Sequence, residues 1–61
     1  MKRSILIKYL QKYNCILLRE GSSHSIYVNV INKKQSAVGR HNEISDLLCK
    51  KICKQLDIPE I

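Results

Sequence analysis

The chain has 61 residues, 44% of them hydrophobic, with three tyrosines and no Trp or Phe. A chain this short forms one domain, residues 1–61, buries only about 60% of the surface its unfolded form exposes, and leaves no room for a second core or a deep active site. Eleven Lys and Arg against five Asp and Glu give a formal charge of +6; spread along the chain rather than packed in a tail, this charge favours a polyanion, nucleic acid first, or an acidic partner, with a well-solvated small protein as the plain alternative.

Ser4 to Tyr13 reads as a helix, with Leu6, Tyr9, Leu10 and Tyr13 recurring at three and four and Ser4 placed to cap it. Asn14 breaks that period. Cys15 to Glu20, "CILLRE", is short, apolar and β-leaning, and Gly21, Ser22 and Ser23 supply a turn. His24 to Ile31 alternates as a second strand, with Ile26, Val28 and Val30 sharing a face with His24 while Ser25, Tyr27 and Asn29 take the other. Asn32 to Lys34 make a polar hairpin loop, and Gln35 to Val38 a third, weaker strand.

From Asn42 the period returns to that of a helix, with Ile44, Leu48, Ile52 and Leu56 in one apolar row and Leu47 outward among the lysines. Glu43 and Asp46 in its first turn and Lys50, Lys51 and Lys54 toward its end suit the helix dipole, Asp46 and Lys50 are spaced to pair, and Pro59 stops the helix near Asp57. Three cysteines follow no regular framework. Cys49 and Cys53 share a helix face, but no second Cys or His pair accompanies them, so they read as small core hydrophobes and no metal is expected. Without a signal peptide or a long apolar segment, no membrane and a reducing cytoplasm are the expectation.

The order helix, three strands, helix predicts an α+β fold: a three-stranded antiparallel sheet with both helices on one face. Such an arrangement resembles a double-stranded-RNA-binding domain in miniature. Basic charge and architecture thus agree on RNA, although a fold alone does not assign an activity.

Two histidines, His24 and His41, are the natural proton-transfer groups; there is no phosphate-cradling glycine loop, no H-E-x-x-H and no paired-carboxylate motif. RNA cleavage needs a base for a 2′-hydroxyl, positive groups for the phosphate and a donor for the leaving oxygen, and requires no small-molecule cofactor. His24 fits the base, in which case activity falls below about pH 6. Tyr27 or His41 would donate or position, although strand alternation points Tyr27 away from His24. From the residues alone a plain reading stands beside each of these. In it His24 simply bonds the hairpin backbone, His41 beside Arg40 orients the entry to the last helix, Tyr27 packs, and Lys50, Lys51 and Lys54 form a solvated face rather than a phosphate track.

The stretches "LIKYLQKYNC", "LLREGSSHSIYVN" and "VGRHNEISDLLCKKICKQLDI" together resemble the HicA toxins of bacterial toxin-antitoxin systems, including a Gly-x-x-His-x-x-Tyr signature from Gly21 to Tyr27 and an Arg-His-x-Glu-Ile entrance from Arg40 to Ile44. Gly39 stands where that family usually has a proline, and Asp57 where it usually has a glycine. The resemblance implies a metal-independent endoribonuclease that cleaves mRNA, catalytic His24, supporting or RNA-binding roles for Ser23, Tyr27, Arg40, His41, Lys50, Lys51 and Lys54, and silencing by a HicB-type antitoxin over the active-site surface. A non-catalytic RNA-binding module and a pure interaction protein are the competing readings.

Overall fold

A computed structural model describes all of residues 1–61. The chain runs α1 (Arg3–Lys12), β1 (Cys15–Glu20), β2 (His24–Asn29), β3 (Gln35–Gly39) and α2 (Asp46–Leu56), and the strands form one antiparallel sheet in the order β1-β2-β3. The expected α+β architecture is the observed one. Leu6 and Leu10 of α1 and Cys49, Ile52 and Leu56 of α2 meet Cys15, Tyr27 and Val38 of the sheet in one core, joined by Ile44. Both helices therefore cover the same face. Burial pushes the thiols of Cys15, Cys49 and Cys53 above their ordinary range, which keeps them as protonated core residues.

Cross-strand register sorts the sheet into two faces. Cys15 pairs with Asn29, Leu17 with Tyr27 and Tyr27 in turn with Ser36, and Glu20 with Ser25 and Ser25 in turn with Val38; these rows point to the helices. Ile16, Val28 and Gln35, then Arg19, Ile26 and Ala37, then His24 and Gly39 form the rows of the opposite, uncovered face. A register shift between Leu17 and Arg19 leaves Leu18 as the extra residue, and without it Arg19 would fall in the helix-facing rows.

The ends of the elements differ from the sequence expectations. Helix α1 begins at Arg3, after Lys2, and no side chain caps it, so Ser4 is not the cap. Helix α2 begins only at Asp46, and its cap is Ser45, whose Oγ accepts from the Leu48 N–H at 3.2 Å. Tertiary pairing takes residues 42–44 instead: the Arg3 N–H donates to the Asn42 carbonyl and the Ile44 N–H to the Met1 carbonyl, both at 2.8 Å, with Lys2 and Glu43 opposed in an isolated bridge. Asp46 lies 3.7 Å from the N-terminal ammonium, and no Asp46–Lys50 ion pair forms. Strand β2 stops at Asn29 rather than Ile31, because the Asn29 side chain accepts from the Ile31 N–H and turns the chain.

At the far end of α2, Asp57 adopts the left-handed conformation (φ 57°) that a glycine usually fills. The Asp57 and Ile58 N–H groups return to the carbonyls of Lys54 and Cys53, closing the last turn. Asn29 and Asn32 then donate their side-chain amides to the Leu56 carbonyl at 2.9 and 3.1 Å. The helix end is thus tied to the loop after β2.

Candidate functional site

His24 opens β2 directly after the turn, with its side chain exposed and on the uncovered face. Its Nδ1 lies 3.0 Å from the Ser23 Oγ. That contact ties down one ring nitrogen and leaves Nε2 to solvent. When Nδ1–H donates to Ser23, Nε2 offers a lone pair; when the Ser23 hydroxyl donates, Nε2 carries the proton. A histidine held in this way can move a proton in either direction.

The turn below it is built as a clamp. Gly21 donates its N–H to the His24 carbonyl at 2.7 Å, and a Cβ at Gly21 would stand only 3.0 Å from that same oxygen, so this close approach suits glycine. Arg40, just beyond β3, spreads its guanidinium over the turn: Nη1 donates to the Ser22 carbonyl at 3.2 Å, and Nη2 to the His24 carbonyl at 3.1 Å and to the Gly21 carbonyl. The same Nη2 meets Glu20 Oε1 at 2.8 Å. The planar guanidinium spans these oxygens at once, with Nη2 sharing its two N–H groups among three of them and Nε also donating to Glu20 Oε1 at 3.2 Å, a reach that a lysine could not copy.

Behind the turn the network continues to α1. Ser25 donates its hydroxyl to Glu20 Oε1 at 2.7 Å and accepts from Arg3 Nη2 at 3.0 Å, while Arg3 Nε donates to the Gly39 carbonyl at 2.8 Å. The Ser25 hydroxyl, followed by the Arg40 guanidinium, holds the Glu20 carboxyl below its ordinary range. Glu20, Ser25 and Arg3 were missed by sequence reasoning. Glu20 and Ser25 flank the turn symmetrically and were in principle findable; Arg3 comes from the opposite end of the chain and leaves no local signal.

The remaining residues singled out from sequence fall into three places. Ser23, His24 and Arg40 come together at the turn. Tyr27 is 6% exposed, lies in the core and faces the helices, away from His24. His41 is exposed in the segment after β3, and Lys50, Lys51 and Lys54 are exposed positions of α2, in the layer on the other side of the sheet from the His24 ring.

The model of one protein family, described as the HicA toxin of bacterial toxin-antitoxin, matches residues 3–58. The chain belongs to the HicA toxin family. Membership makes it the toxin of a toxin-antitoxin pair, with an antitoxin as its partner. No curated protein and no solved structure gives a significant match to the chain. No helix is long and apolar enough to cross a membrane. In this HicA-family chain the Gly-x-x-His stretch is the clamped turn itself, and the Arg of the Arg-His pair is the residue that clamps it.

Proposed function

We propose that this HicA-family toxin is a metal-independent endoribonuclease that cleaves mRNA in the cytoplasm and so inhibits translation, with His24 as its proton-transfer residue and a HicB-type antitoxin as its silencer. One observation carries the reading: a solvent-facing imidazole with one nitrogen held by Ser23 at 3.0 Å, on a turn whose carbonyls are gathered by Arg40. A histidine that only finished a strand would need neither the fixed ring nor the clamp.

The chemistry follows from that geometry. With Nδ1–H on Ser23, His24 Nε2 removes the proton of a ribose 2′-hydroxyl; the oxygen bonds to the adjacent phosphorus and the bond from phosphorus to the 5′-oxygen breaks. The departing oxygen takes a proton from water, and the imidazolium returns its own to solvent. The products are a cyclic phosphate and a 5′-hydroxyl end. Arg40 serves this reaction through the turn, because its guanidinium is already spent on carbonyls and on Glu20.

Cleavage of a long single-stranded RNA by the purified chain in EDTA tests the proposal, with His24→Ala matched for folding by circular dichroism. Scission by the wild type, reduced at least about 10²-fold in the variant, is expected. RNA that is bound equally by both and cut by neither would make the chain a binding module. Negligible RNA affinity at physiological salt would leave a pure interaction protein.

A further inference from the structure

The sheet face opposite the helices carries more than His24. A shallow groove of about 480 Å³ runs from Arg19 on β1 over Ile26 and Ala37 to the β3 edge, where Gln35 and Lys34 meet Ser36 of the helix-facing rows and Gln55 of α2. Its floor is low because the middle of its lining is one medium and one small side chain, Ile26 and Ala37, which are cross-strand partners. Arg19 at one end and Lys34 near the other are cations, amide side chains flank the floor, and no carboxylate lines it. The nearest acid is Asp57, loosely paired with Lys34 at 3.8 Å.

This groove lies beside the His24 ring. Ile26 shares the face with His24 two residues along β2, on the order of 7 Å away. The cross-strand partner of His24 is Gly39, and a Cβ placed there would meet nothing within 4 Å, so the ground between the imidazole and the groove is open.

We infer that the groove is the seat of the single-stranded RNA on one side of the scissile phosphate: Arg19 and Lys34 hold backbone phosphates, and a base lies over Ile26 and Ala37. The inference rests on the reading of His24 as the reacting residue. A single strand is the form that fits, because the face is shallow, has cations at its two ends and offers apolar floor with amide donors and acceptors between them. With no aromatic side chain in the groove, contact with the base is made by aliphatic surface and by the amides of Gln35 and Gln55. Lys50, Lys51 and Lys54 are not among the residues that line the groove, although Gln55 of the same helix reaches it at the β3 edge.

The test uses Ala37→Glu and Arg19→Ala, both exposed positions, with Lys8→Ala on α1 as a control that removes one positive charge elsewhere. Binding of a labelled single-stranded RNA and cleavage of a long RNA and of a dinucleotide are measured for each, alongside His24→Ala. Expected are an at least tenfold weaker affinity and higher KM for Ala37→Glu on the long RNA, unchanged dinucleotide cleavage, and a salt slope reduced by about 0.7 in Arg19→Ala. Lys8→Ala should leave the long-RNA KM within about twofold. If Ala37→Glu and Arg19→Ala bind and cut long RNA as the wild type does while His24→Ala is inactive, the groove is overturned and the His24 reading stands. If the wild type cuts nothing, the His24 reading fails, and the affinities of the groove variants still decide whether RNA lies there. Weakened antitoxin binding with unchanged RNA affinity would assign the face to the protein partner and overturn the inference.

Discussion

The two hairpin connections of the sheet are fixed by opposite means. Between β2 and β3 the loop is largely self-made: the Lys33 N–H donates to the Asn29 carbonyl at 2.7 Å, the Asn29 N–H to the Lys34 carbonyl at 2.9 Å, and the Asn32 side chain accepts from the Lys34 N–H at 2.8 Å. Between β1 and β2 the turn has one internal backbone bond, Gly21 to His24, and otherwise depends on Arg40, 16 positions beyond His24, and through Ser25 on Arg3. The first kind of loop takes its backbone bonds from its own residues and adds two side-chain ties to the Leu56 carbonyl. The second is held largely by residues distant in sequence, so the setting of His24 depends on how the rest of the domain is placed.

Removing the clamp should produce the largest effect. Arg40→Ala is expected to lower RNA cleavage per folded molecule by about 10²-fold, as misplacement of a reacting group by about 1 Å does, with little change in RNA affinity. Arg40→Lys should not restore it, because an ammonium cannot span several carbonyls and a carboxylate at once. Steady-state kinetics on both variants check this, and a loss confined to KM would mean that Arg40 holds phosphate instead.

Asn29→Ala attacks the other connection. Its buried amide bonds the Leu56 carbonyl and its carbonyl oxygen starts the loop, so urea denaturation should show a loss of about 1–3 kcal/mol while kcat of the folded fraction stays at the wild-type value. A fall in kcat would show that the two hairpins are coupled and would weaken the contrast.

Glu20 gives the clamp a pH dependence. Its carboxyl is held below the ordinary value of 4.5 in the folded chain by Ser25 and Arg40, so it contributes stability that is complete above that value and is lost as the pH falls through the depressed folded one. Urea midpoints of wild type and Glu20→Gln should therefore differ at pH 7 and converge as the pH is taken below about 4.5. Parallel curves over that range would remove Glu20 from the clamp.

The smallest change concerns Lys33, which holds a left-handed conformation (φ 67°) in the self-made loop. Lys33→Gly relieves the Cβ strain there and should raise stability by about 0.5 kcal/mol with activity unchanged. Thermal melts would register it, and a loss of stability would show that the lysine side chain contributes more than the backbone strain it brings.

Sequence alone determined the elements and their order, because period and turn chemistry are local: the apolar row Ile52 to Leu56, the β-branched run through Val28 and the glycine-serine turn each declare themselves within a few residues. It also marked His24 and Arg40, through composition and through the resemblance to the HicA family. Tertiary structure decided the rest. The start of α2 moved from Asn42 to Asp46 because Met1 to Arg3 pair with that segment, a contact between residues about 40 positions apart that no window shows. The register shift between Leu17 and Arg19 decided which face Arg19 joins, and packing of both helices on one side decided that the His24 face stays open. Arg40 and Arg3 acquired their roles in the same way, since a guanidinium can gather the carbonyls of a turn only after three strands and a helix have brought it there.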